Sequence, residues 1–220
     1  GFSAEETENA LIDLHFLGIN DILALRGDPV KTENTFVPDD KGHAYAVELV
    51  QQIEKMNEGQ YLDEEIKDPE PTNFCIGVAG YPEKHYEAMN LNLDIKYLKQ
   101  KIDAGVSYIV TQMFFDNQKY FDFVEHCRQE GINVPIIPGI KPITTLKHIQ
   151  FIPKTFHIDF PDELTNSLVN CKTNEEVTKV GVAWAIKQSL ELKEKGVPCI
   201  HFYTMGKSEN TRNIAKAVFG

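Results

Sequence analysis

The sequence predicts an α/β fold of the (βα)8 TIM-barrel type, and three observations lead there. Short apolar runs alternate with amphipathic segments along the chain, the pattern of parallel strands joined by helical crossovers. Nearly every apolar run ends in a polar or aromatic residue (Arg26, Asp28, Tyr81, Gln112, Lys141, Tyr203), as at the carboxyl-end face of a barrel, where loops carry chemistry on a rigid frame. No G-x-G-x-x-G occurs, which weighs against a doubly wound dinucleotide-binding sheet, the other architecture the alternation allows.

Taken in order, Ser3 followed by Glu5 and Glu6 reads as an N-cap with an acidic first turn. Ala10, Leu11, Leu14 and Leu17 continue at helical spacing until Gly18. A strand from Asp21 to Leu25 follows, then a polar loop through Asp40. A helix from about His43 to Asn57 takes Ala46, Val47, Leu49, Val50 and Ile53 as its apolar face. The acidic stretch Asp63 to Pro71 precedes Phe74 to Ala79, a continuous apolar run expected of a parallel strand covered on both faces. Then come a helix from Asn90 to Ala104, a strand from Tyr108 to Phe115, a helix from Asn117 to Glu130 and a strand from Val134 to Ile137. Helices are expected around Thr145 to Ile152, Pro161 to Val169 and Asn174 to Lys195. A strand from Cys199 to Tyr203 and a helix from Glu209 to Val218 close the chain.

At 220 residues, 42% hydrophobic and 25% charged, the chain suits one globular domain spanning 1–220. A formal net charge of -11 argues against a nucleic-acid partner, which would need clustered Lys and Arg. Cys75, Cys127, Cys171 and Cys199 are far apart and form no C-x-x-C, so neither a metal site nor a disulfide framework is indicated. No apolar run is long enough to span a bilayer and no leader opens the chain, so the expectation is a cytoplasmic protein without a membrane partner.

Ala24-Leu25-Arg26-Gly27-Asp28 sets a guanidinium and a carboxylate at a strand exit. Such a pair serves a ligand or stands as a surface ion pair. Gly80-Tyr81-Pro82-Glu83-Lys84-His85 delivers an aromatic ring and an imidazole to a second exit, where they contact a ligand or merely shape a loop. Asp94 and Lys101, two helical turns apart, share one face of the next helix. A Lys there also snorkels along a surface. Gln112, within Thr111-Gln112-Met113-Phe114-Phe115-Asp116, brings donors and an acceptor to a buried strand end and needs partners, from a ligand or from the backbone.

Together with Ile-Pro-Gly-Ile-Lys-Pro at 137–142 and His-Phe-Tyr-Thr at 201–204, these segments resemble, in order and spacing, the successive motifs of the methylenetetrahydrofolate reductase family. The resemblance implies reduction of 5,10-methylenetetrahydrofolate to 5-methyltetrahydrofolate on an FAD-dependent barrel, with NADH or NADPH as hydride donor, in one-carbon and methionine metabolism. By matching position, Arg26, Gly27, Asp28, Tyr45, Ala46, Tyr81, His85, Asp94 and Lys101 would hold the FAD. Asp28 and Gln112 would serve the chemistry. Asp28, Gln112 and Lys207 would meet the folate, with Lys207 standing where many relatives carry Arg, as a point charge in place of a bidentate fork. The resemblance also implies an oligomer of identical chains.

The same resemblance makes the barrel incomplete here, the five predicted strands matching strands 4 to 8, and puts the catalytic glutamate outside these residues. The expectation is that this chain alone lacks normal turnover. Another FAD-dependent barrel, of the proline dehydrogenase kind, is the rival enzymatic reading. An adhesion module built on Arg26-Gly27-Asp28 is the rival from another class, and it leaves the other motifs without a purpose.

Overall fold

The structure is a computed structural model that describes residues 1–29 and 35–220. Residues 30–34, part of the polar loop expected before Asp40, lie outside the described residues. The elements run α1 (Ala4–Phe16), β1 (Asp21–Ala24), α2 (Ala46–Asn57), β2 (Cys75–Gly80), α3 (Leu91–Asp103), β3 (Tyr108–Met113), α4 (Asn117–Gln129), β4 (Ile136–Ile140), α5 (Leu146–Phe156), α6 (Asp162–Leu168), α7 (Asn174–Glu194), β5 (His201–Phe202) and α8 (Glu209–Phe219). The strands form one sheet in the order β1-β2-β3-β4-β5. β1 runs parallel to β2, with Asp21 opposite Cys75 and Ala24 opposite Val78, and β4 runs parallel to β5, with Gly139 opposite His201. Spatial order equals chain order, as between consecutive strands of a (βα) barrel; a doubly wound sheet would reverse direction at a switch point. Among the described residues no helix is long and apolar enough to cross a membrane.

The chain divides into two compact units. The first comprises residues 1–79, 96–109 and 132–135. Its opening helix starts as the sequence requires: the Ser3 hydroxyl accepts the Glu6 N–H at 3.2 Å while Glu6 Oε2 accepts the Ser3 N–H at 2.9 Å. Val50, Ile53 and Met56 from α2 are buried, as are Ile76, Val78, Leu98 and Ile109. Asn57 closes α2 and sets the approach to β2. Its Oδ1 accepts from the Thr72 hydroxyl and the Phe74 N–H, each at 2.8 Å, and its Nδ2 donates to the Phe74 carbonyl at 3.1 Å.

The second unit comprises residues 80–95, 110–131 and 136–220. Its core gathers Met113, Phe115, Ile143, Ile152, Ile158, Leu164, Leu168 and Val177. The long helix α7 closes over it with polar side chains as well as apolar ones. Trp184 Nε1 donates to the Phe115 carbonyl at 3.0 Å, and Gln188 Nε2 donates to the Phe114 carbonyl at 3.2 Å. Buried carbonyls need partners, and these two side chains supply them.

That pairing explains one departure from the sequence reading. β3 ends at Met113, short of Phe115, because α7 side chains claim the next two carbonyls. α2 starts at Ala46, later than His43, because His43 pairs its Nε2 with Gln52 Oε1 at 2.6 Å and Glu48 Oε2 accepts the Ala44 and Tyr45 N–H groups at 2.7 and 3.1 Å. β4 extends through Pro138 to Ile140. Pro cannot donate to a ladder, yet Gly139 N–H donates to Thr111 Oγ1 at 2.9 Å and the Ile140 carbonyl accepts the Tyr203 N–H at 3.0 Å, so the strand continues. β5 spans only His201 and Phe202, the two residues in register with β4.

Candidate functional site

In the first unit, Arg26, Gly27 and Asp28 follow β1, as the sequence reading expects. The Arg26 guanidinium lies 5.1 Å from the centroid of the Phe36 ring, an arrangement in which the ring face attracts the cation. Beside it, a Cβ on Gly27 would come within 2.8 Å of Phe36 Cε2, so a larger residue there would make that ring shift. Asp28 is exposed. Tyr45 is exposed just before α2, and Ala46 is the first residue of that helix. Lys101, in the last turn of α3, sends Nζ to the Ala79 carbonyl at 3.1 Å, which brings its charge to the carboxyl end of β2.

In the second unit, the loop after β2 holds Tyr81 and His85 edge to face, with ring centroids 4.7 Å apart. Tyr86 lies 4.7 Å from the His85 ring and stacks on His157 at 5.7 Å. His85 N–H donates to Asp94 Oδ2 at 2.7 Å, so the carboxylate on α3 fixes the loop backbone. His85 Nδ1 accepts the Glu87 N–H at 3.3 Å. In the neutral ring that bond places the proton on Nε2. Lys84 adopts φ 75 and its ammonium donates to the Ala88 carbonyl at 3.1 Å. A non-glycine residue in the left-handed region costs energy that the rest of the loop must offset.

Gln112 is half-buried in β3, and its Oε1 accepts the Met113 N–H at 2.9 Å. Backbone bonding therefore takes the carboxamide oxygen, and the amide nitrogen is what Gln112 can offer a ligand. Lys207 is exposed in the connection from β5 to α8, where its N–H donates to the Thr204 carbonyl at 3.0 Å. Lys141 Nζ donates to the Tyr203 carbonyl at 3.1 Å. Burial, and then the Lys207 charge, hold the Lys141 pKa below its ordinary value.

His148 on α5 joins this basic group, and the sequence reading missed it. Burial, followed by the charges of Lys141 and Lys207, lowers its pKa, and its Nδ1 accepts the Thr144 N–H at 3.2 Å. Nothing in its helical spacing marks it out. Tyr203 donates its hydroxyl to the Thr111 carbonyl at 2.8 Å, and burial pushes that hydroxyl up to about 12. It is a fixed structural donor near neutral pH. Among the described residues no group of three or more His, Cys, Asp and Glu could hold a metal ion.

Each unit offers groups of the kind that bind phosphates and sugars. Arg26 and Lys101 of the first unit are cations able to offset a phosphate, and Asp94 of the second is an acceptor for hydroxyl groups.

The family model described as Methylenetetrahydrofolate reductase matches residues 2–218. "Methylenetetrahydrofolate reductase (NADH) 1" of Arabidopsis thaliana is 35% identical over 98% of this chain and 35% of its own length. "Probable methylenetetrahydrofolate reductase (NADPH)" of Caenorhabditis elegans is 34% identical over 99% of this chain and 31% of its own. The chain thus spans about a third of the length of these curated relatives. A solved structure titled as an uncharacterized protein from Clostridium thermocellum that binds two copies of 5-methyl-5,6,7,8-tetrahydrofolic acid aligns with a TM-score of 0.55 at 20% identity, covering 99% of this chain and 68% of that one. That likeness is one of fold.

Proposed function

The chain belongs to the methylenetetrahydrofolate reductase family, and on that premise we propose that it supplies strands 4 to 8 of the catalytic barrel of an FAD-dependent enzyme. That enzyme reduces 5,10-methylenetetrahydrofolate to 5-methyltetrahydrofolate with NADH or NADPH. The observation that carries the reading is the loop of Tyr81 and His85. Its backbone is pinned by Asp94, one residue sits at positive φ, and its imidazole packs edge to face on Tyr81. This is the ordering a ligand-binding loop needs and a solvated loop does not.

Bound FAD would supply the redox chemistry, taking hydride from the nicotinamide and passing it to the folate. Arg26 and Lys101 neutralise the pyrophosphate. Gly27, Tyr45 and Ala46 present backbone at close range, where a larger residue at position 27 would strike Phe36. His85 and Asp94 would hydrogen-bond the sugars, Asp94 accepting from their hydroxyl groups, and Tyr81 would pack its ring beside them. Asp28 holds a fixed negative charge that disfavours retention of electron density on its neighbour and so favours transfer onward. Gln112 donates its amide N–H to the folate, and Lys207 meets the folate carboxylate. Tyr203 keeps its hydroxyl on the Thr111 carbonyl and serves as a structural anchor.

The test is the visible absorption of the full-length protein titrated with FAD, then with NADH or NADPH, then with methylenetetrahydrofolate. Binding, bleaching and folate-dependent recovery are the expected sequence. A bleached flavin that the folate leaves reduced refutes the assignment and favours the proline dehydrogenase-like alternative.

A further inference from the structure

We propose that Glu83 is a positioning residue for the loop between β2 and α3: held by Lys119 of α4 and by the backbone of Asp159, it sets the placement of Tyr81 and His85. Its side chain is 8% exposed. One carboxylate oxygen, Oε2, receives Lys119 Nζ at 2.5 Å and the Asp159 N–H at 3.1 Å, while Lys119 also reaches Asp159 Oδ2 at 2.8 Å. Three separate elements, the 80–85 loop, α4 and the α5–α6 connection, therefore meet at one atom. The other oxygen, Oε1, is buried with no hydrogen-bond partner among the described residues.

A charge in that position is a poor way to gain stability. Burial raises the Glu83 pKa despite Lys119, and a well-packed apolar residue would avoid the desolvation cost. What the pair does achieve is geometric: a carboxylate with one saturated oxygen accepts its partners from fixed directions. Glu83 lies two residues from both Tyr81 and His85. With Asp94 gripping the His85 N–H from α3, the loop is held from two sides. The inference rests on the reading that Tyr81 and His85 contact the flavin dinucleotide.

Three variants of the full-length protein test it: Glu83→Gln, Lys119→Met and the two combined. Lys119→Met strands a buried carboxylate, whereas Glu83→Gln keeps an acceptor for the Asp159 N–H and removes the charge. FAD affinity is therefore expected to fall most in Lys119→Met, by about tenfold, less in Glu83→Gln, and to recover partly in the double variant. The His85 ring-proton NMR shifts, set by the edge-to-face Tyr81 ring, should move in the same rank order while far-UV dichroism stays constant. Unchanged His85 shifts in Glu83→Gln overturn the proposal, including when Lys119→Met does not fold. So does a loss of FAD affinity with His85 shifts unmoved. A parent protein that binds no FAD, with His85 still responding to Glu83→Gln, overturns the functional reading and upholds the positioning role.

Discussion

Gly77→Ala offers a direct test of how the first unit is packed. A Cβ at this buried β2 position would stand 2.2 Å from Tyr108 Cζ, 2.3 Å from Cε2 and 2.7 Å from the hydroxyl oxygen. The phenol ring cannot give way freely, because its hydroxyl donates to the Ile22 carbonyl of β1 at 2.8 Å. Relief requires the ring to swing aside and surrender that bond. Overpacking costs about 1–3 kcal/mol, and the lost hydrogen bond about 0.5–1.5 kcal/mol more. The expected destabilisation is about 1.5–4.5 kcal/mol, a large share of the roughly 5–15 kcal/mol that holds a typical domain folded. Urea unfolding followed by far-UV dichroism reads this as a lower midpoint at unchanged slope. Tyr108→Val combined with Gly77→Ala should cost clearly less than the sum of the single changes, since the two residues compete for one space. A Gly77→Ala protein within about 0.5 kcal/mol of the parent, the range of an inconsequential surface change, would refute the reasoning.

Two further outcomes follow from local structure. Ser3→Ala removes the side-chain acceptor for Glu6 N–H and should cost about 1 kcal/mol, measured by the same urea titration. The second concerns pH. Burial holds His148 and His201 below their ordinary value of 6.5, so each binds fewer protons folded than unfolded. Their contribution is complete above 6.5 and is lost as pH falls through the lower folded values. A protein carrying His148→Gln and His201→Gln should therefore lose less stability than the parent between about pH 7.5 and about pH 5.5. An equal loss in both proteins counts against the assignment.

Much of the fold was legible because its signals are local. Ser3 with Glu6 announces α1, and the apolar run through Ile76 and Val78 announces β2. The motif residues Arg26, Tyr81, Gln112 and Lys141 do stand at or beside strand ends, as the alternation suggested. Elsewhere a distant partner outweighed local preference. His43 pairs with Gln52, and Pro138 stays within a strand because its neighbours bond to Thr111 and Tyr203. The sequence left the role of Gln112 open between backbone and ligand; the structure gives its oxygen to Met113 and leaves its nitrogen to offer.

By itself, then, the sequence determined the succession of strands and helices and the family, since capping, periodicity and motif spacing are all read along the chain. Only the tertiary structure decided which groups meet. Glu83 and Lys119 are 36 positions apart, Lys119 and Asp159 are 40 apart, and Tyr108 reaches Ile22 across 86. Such pairings form when the chain closes on itself, and burial then makes each unmet donor or carboxylate costly. Neither the closure nor that cost is written in the spacing of neighbouring residues.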